Sequence, residues 1–210
     1  MMNENRAAMS DTSQTPTAAP AVLISEVGPR DGLQSVRAVM PTDRKIAWIR
    51  ALHAAGVREI EVGSFVPADR LPQMADVAAV VHDAVTLPGL TVMALVPNLR
   101  GAQAALAAGV HKLTIPVSAS EAHSLANVRR TRAQMVEVVR EIVALRDAQA
   151  PAVTVEVGLS TAFGCTIAGP VADDEVVRLA EALAAAGADE VGLSDTTGMA
   201  NPAQVRRLFD

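Results

Sequence analysis

Three stretches of this chain repeat one pattern. AAGVREIEV (54–62), AAGVHKLTI (107–115) and AAGADEVGL (185–193) each pass from an Ala-rich helical end, through a glycine and a polar turn, into a strand. A helix that feeds a strand in the same way at three places implies repeated strand–helix units, hence a parallel sheet with crossover helices. Aligned on the glycine, Ile60, Leu113 and Val191 share one strand face with Val62, Ile115 and Leu193, and these pack on helices. Glu61, Thr114 and Gly192 alternate to the opposite face. Small and polar residues on that second face favour the interior of a (β/α)8 TIM barrel over a doubly wound sheet, which remains the alternative.

Strands are expected at 22–27, 58–63, 91–96, 111–117, 152–158 and 189–194, each followed by a helix. Thr42 is placed to cap a helix that reaches His53–Ala55, with Gly56 just beyond. Asp173 and Asp174 open a helix that closes at Gly187, and Asn201-Pro202 reads as a cap followed by a first-turn proline. Residues 21–210 therefore hold about six βα units. A complete barrel takes about 250 residues, so the 210 present predict a fragment with two open sheet edges.

Residues 1–20 are polar and Pro/Thr/Ser-rich, and are expected to be a disordered leader without the apolar core of a secretory signal. The rest is apolar enough to fold, at 50% hydrophobic residues overall. A net charge of −5 argues against nucleic acid as a partner. No apolar run approaches the roughly 18 residues of a membrane span. One cysteine excludes an internal disulfide, and the cytoplasm is the expected location.

Arg30-Asp31, in EVGPRDGLQ (26–34), follow a strand end directly, where barrel enzymes place reactive groups, although Arg-Asp-Gly is also ordinary turn composition. Glu61 is a carboxylate on an inward strand face and must be paired, hydrogen-bonded or metal-bound. Arg30 is its expected partner, either as a structural ion pair or as an arginine oriented for an oxyanion. Asp195, in GLSDTTG (192–198), is a site carboxylate or an Asx-type cap. His53 and His82 fall in helical patterns, and His111 at the amino end of a strand. His123 and Cys165 follow strands four and five on the reactive side. There is no GxGxxG, Walker loop, HxxxH or HxH. Asp31 is then at best one metal ligand, and the ion expected at such a lone carboxylate is a hard divalent one, Mg²⁺ or Mn²⁺, completed by groups outside these 210 residues.

EVGPRDGLQ (26–34), IEVGSFVPADRLPQMAD (60–76), ALVPNLRGAQAALAAGV (94–110), SASEAHS (118–124), STAFGC (160–165) and LSDTTG (193–198), taken together and in this order, resemble the hydroxymethylglutaryl-CoA lyase family of metal-dependent barrel lyases. The resemblance implies metal-assisted retro-Claisen cleavage of an acyl-CoA substrate to acetyl-CoA and acetoacetate. It implies that Arg30 faces the thioester oxygen, that Asp31 is a metal ligand, and that Glu61 and Asp195 support and handle protons. Gln34, Ser64 and Thr196 are the implied substrate contacts, together with Arg30. The family's remaining metal ligands lie past the position that matches Asp210, so a 210-residue chain is expected to be inactive by itself. Gly158 stands where the family commonly has an aromatic, and Thr166-Ile167 replace a more usual Pro-aromatic pair, both near the acyl pocket. An acetyl-CoA-dependent synthase of the same superfamily and a non-catalytic fragment are the alternatives, and the resemblance admits a homodimer.

Overall fold

The computed structural model describes residues 22–210, so the expected leader at 1–20 lies outside the described residues. Six parallel strands form one sheet in the order of the chain: β1 (Ser25–Glu26), β2 (Glu59–Ser64), β3 (Thr91–Leu95), β4 (Lys112–Ser118), β5 (Thr154–Ser160) and β6 (Glu190–Leu193). Between and after them run α1 (Thr42–Ala54), α2 (Val77–Ala84), α3 (Leu99–Ala108), α4 (Glu121–Val128), α5 (Arg132–Gln149), α6 (Asp173–Ala185) and α7 (Pro202–Phe209). The sheet curls as part of a TIM barrel, the predicted class.

The glycines of the repeat do what the sequence required of them. Gly56, Gly109 and Gly187 have φ of 101°, 89° and 99°, which lets each helix stop and turn into its strand without a Cβ clash. Beyond them the strand faces segregate as expected. Ile60, Val62, Leu113 and Ile115 are buried against helix residues such as Val80, Ala105, Val139 and Ile142. With aromatics at 2% of the chain, this layer is filled by Val, Ile, Leu and Ala. Truncating one of these leucines or isoleucines to Ala would cost about 2–5 kcal/mol. Val191 and Leu193 carry the same pattern but are only half-buried on the edge strand β6.

Four local expectations are corrected. The first strand pairs only at Ser25 and Glu26, because the chain leaves the sheet at Val27 into a π-helical turn over Gly28–Gly32. Thr42 does not cap α1. Pro41 occupies that position, and the Thr42 hydroxyl donates to Asp76 at 2.7 Å instead. Strand four is followed by two helices, α4 and α5. The 152–158 strand begins at Thr154 and runs to Ser160. Asn201 caps α7 as predicted, accepting from Gln204 N–H.

One irregularity sets the reactive end. The β2–β3 register slips between Glu61↔Met93 and Gly63↔Ala94, a bulge that adds one residue to β2. Strict alternation would turn Ser64 outward. The extra residue restores Ser64 to the inward face that Glu61 occupies, opposite Leu95. Gly63 takes the outward place, where an added Cβ would lie 2.5 Å from Val77 Cγ2.

Candidate active site

The carboxyl ends of the strands gather the predicted residues into one connected group and one separate group. The π-helical turn after β1 begins with Asp31 and Arg30 N–H donating to the Val27 carbonyl at 2.7 and 3.1 Å, and it aims the Arg30 side chain toward β2. Arg30 Nε donates to Glu61 Oε2 at 2.6 Å, and a terminal guanidinium nitrogen lies 2.5 Å from the same oxygen. The remaining terminal nitrogen donates to Asp31 Oδ1 at 2.8 Å, which also accepts from Gln34 Nε2 at 3.2 Å. The Thr114 hydroxyl donates to the other oxygen of Glu61. Arg30, Asp31, Gln34, Glu61 and Thr114 thus form one network across β1, β2 and β4.

Within it, burial separates the roles available. Glu61 is 2% exposed, whereas Asp31 is 57% exposed and opens to solvent. Removing Glu61 from water raises its pKa above the ordinary glutamate range, and the nearby Glu156 adds to this; Arg30 and Thr114 only partly offset it. Ser64 stands close in sequence on the same inward face, fully buried, and its hydroxyl has no hydrogen-bond partner among the described residues. A buried hydroxyl without a partner costs about 1–3 kcal/mol.

Asp195 and Thr196 belong to the second group. Asp195 is exposed and accepts the Met199 and Ala200 N–H groups at 2.9 and 3.3 Å, the Asx-type arrangement that was its alternative reading. No hydrogen bond or ion pair joins it to Arg30, Asp31 or Glu61 among the described residues. Thr196 Oγ1 accepts from Thr161 N–H at 2.9 Å. Thr161 has φ of 58°, an uncommon conformation for a β-branched residue, and its hydroxyl also accepts from Ser120 N–H. Cys165 is buried. Desolvation alone would raise its pKa, but donors from Ser120 and the Ala168 and Ile167 N–H groups outweigh that and lower it.

Two charged groups escaped the sequence reading. Lys45, 2% exposed on α1, donates to the Gln73 carbonyl and to Asp76 at 2.5 Å each, while Gln73 Nε2 donates to Val36 O at 2.7 Å. This clamps the loop that carries Gln34 to the loop after β2. Its position four residues before Ile49, on the inward stripe of α1, was the available signal. Lys112 lies inward at the amino end of β4, with Glu190, Glu156 and Glu59 at 2.5, 2.9 and 3.5 Å. Counting back two residues from Thr114 would have found it.

Asp31 alone tests poorly as a metal centre. Its oxygen is shared by Arg30 and Gln34, and the described residues contain no group of three or more His, Cys, Asp or Glu able to hold an ion. An octahedral divalent ion needs more protein and water oxygens than this one carboxylate supplies. No helix among the described residues is long and apolar enough to cross a membrane.

Known proteins are similar to this chain over nearly its whole described length. The family profile described as HMGL-like matches residues 21–210. A hydroxymethylglutaryl-CoA lyase of Bacillus subtilis is 39% identical over 189 residues, 90% of this chain and 62% of the relative. A 3-hydroxy-3-isohexenylglutaryl-CoA/hydroxymethylglutaryl-CoA lyase of Pseudomonas aeruginosa is 39% identical with the same coverage. A solved HMG-CoA lyase from Acinetobacter baumannii, in complex with coenzyme A and 3-methylmalate, superposes with a TM-score of 0.83 at 38% identity, covering 89% of this chain and 60% of that one. The chain spans about 60% of the length of such relatives.

Proposed function

Since the chain belongs to the HMGL-like family, we propose that it carries the Arg30–Glu61 half of a lyase centre. That centre cleaves hydroxymethylglutaryl-CoA, or a close 3-hydroxy-3-methyl acyl-CoA analogue, to acetyl-CoA and acetoacetate. In this reaction the C3 hydroxyl loses its proton and becomes a carbonyl. The C2–C3 bond breaks, and its electron pair passes to the acetyl-CoA enolate, which then takes a proton at C2. The observation that carries the reading is the nearly dehydrated Arg30–Glu61 pair at the carboxyl end of the strands. A guanidinium fixed by a buried carboxylate can meet the negative charge that develops on the thioester oxygen without reorganising.

Glu61 acts by holding Arg30. Asp195 is the proton-handling carboxylate of this reading, and Gln34, Ser64 and Thr196 are its substrate contacts, the unpartnered Ser64 hydroxyl being the best prepared of the three. Members of the family are metal-dependent. Asp31 would give one oxygen to a divalent ion, Mg²⁺ or Mn²⁺, which would polarise the C3 hydroxyl; the described residues do not complete that site. A cytoplasmic location and a homodimer are part of the same proposal.

The test is thioester cleavage by the protein with hydroxymethylglutaryl-CoA, followed as acetoacetate. Arg30→Gln is expected to lower the rate by about 10²-fold through lost oxyanion stabilisation. An unchanged rate removes Arg30 from the mechanism. Thiol release seen only with acetyl-CoA plus 2-keto acids replaces the lyase by a synthase, and a protein that neither cleaves nor binds the thioester is a non-catalytic fragment.

A further inference from the structure

We propose that His123, oriented by Ser118, is a substrate-binding residue that donates a hydrogen bond to the distal carboxylate of the acyl group. The inference rests on the acyl-CoA reading above. Ser118 ends β4 on the same inward face as Lys112 and Thr114, and its Oγ lies 2.7 Å from His123 Nδ1, in the first turn of α4. The Ser118 hydroxyl has no other acceptor among the described residues. In the tautomer in which it donates to Nδ1, the ring proton lies on Nε2. That tautomer leaves the Nε2–H without a partner among the described residues.

Beneath it the wall is nearly without side chains. Pro116 pairs with Gly158, and Gly158 with Gly192, across β4, β5 and β6. A Cβ built on Gly158 would meet nothing nearer than Ser194 Oγ at 4.0 Å, so a ligand can occupy that space. Two charged groups of this side are engaged. Asp195 holds two backbone amides, and Arg132 is bonded to Glu175 and to the Ala119 carbonyl. An acyl chain with its thioester oxygen at Arg30, on the β1–β2 side, sends its far end across the mouth toward β4–β6. His123 stands on that side beside the end of β4.

Two thioesters that differ only at that end separate the outcomes: 3-hydroxy-3-methylglutaryl-CoA and 3-hydroxy-3-methylbutyryl-CoA, which lacks the distal carboxylate. Calorimetric binding to the full chain is measured alongside thermal unfolding. His123→Phe is expected to weaken the glutaryl thioester by about tenfold and to leave the butyryl thioester within about twofold. His123→Gln, which keeps a donor, should retain most of the affinity. Ser118→Ala should weaken the glutaryl thioester by about threefold without a matching change in unfolding temperature, and Ser118→Thr should restore it. If His123→Phe changes both thioesters equally or neither, the inference is overturned while the lyase reading stands. If the unmodified chain binds neither thioester, the acyl-CoA reading falls, and this inference with it.

Discussion

The two ends of the strands are built on opposite principles. At the amino ends, charges close on one another. Lys112 draws Glu59, Glu156 and Glu190 together from three strands, and Arg146 and Asp189 bind each other and the Val153 and Val155 backbone. At the carboxyl ends, the Arg30–Glu61 network closes on itself but other groups are left open. The Ser64 hydroxyl has no partner, Asp31 faces solvent, and Thr161 and Arg129 hold positive φ. The first end knits the sheet together, and the second leaves the Ser64 hydroxyl unpaired among the described residues and holds Thr161 and Arg129 at positive φ, at a cost in stability.

That contrast breaks most visibly at Lys112. Lys112→Met leaves three carboxylates facing one another without a cation, and is expected to cost about 3–5 kcal/mol in urea unfolding at neutral pH. A loss below about 1 kcal/mol would make the amino end as loosely built as the mouth. Gly63→Ala comes next, since its Cβ must displace Val77. We expect a loss of about 1–3 kcal/mol and a disturbed bulge, readable from denaturation and from a shift of the Ser64 amide resonance. An unshifted amide would mean that the bulge does not depend on the glycine.

The third test is one of pH. Burial raises the Glu61 pKa, so the folded state holds its proton more tightly than the unfolded chain does. The Glu61 contribution is then most favourable below the ordinary glutamate pKa of about 4.3 and declines as pH rises through the raised folded value. Glu61→Gln should gain relative stability between acid and neutral pH, and a difference from the parent that stays flat over that range would contradict the direction. Lys112 behaves differently. Burial lowers its pKa, but the three carboxylates more than compensate, so its contribution persists through neutrality and is lost only in the alkaline range.

The repeat made the fold legible, because a glycine that ends a helix and an alternating strand are both local features. Ile60, Leu113 and Glu61 could each be assigned a face from their neighbours alone. The Arg30–Glu61 pair was legible for the same reason: adjacent parallel strands must bring their carboxyl ends together. What stayed hidden depends on register and on distant partners. The bulge that returns Ser64 to the interior exists only relative to β3, and the Thr42 hydroxyl left its expected capping role for Asp76, 34 residues away. Lys45 and Lys112 were passed over because a lysine reads as surface until its carboxylates are located.

Spatial order equals chain order in this sheet, β1 through β6 without an exchange. Each strand after β1 therefore finds a partner in the unit synthesised just before it. A ribosome can deliver such a chain one βα unit at a time, each new edge serving as the template for the next. The steps of assembly are then written in the direction of translation. Arg30 and Glu61, supplied by the first two strands, can meet while the Ser118–His123 side of the mouth is still being made.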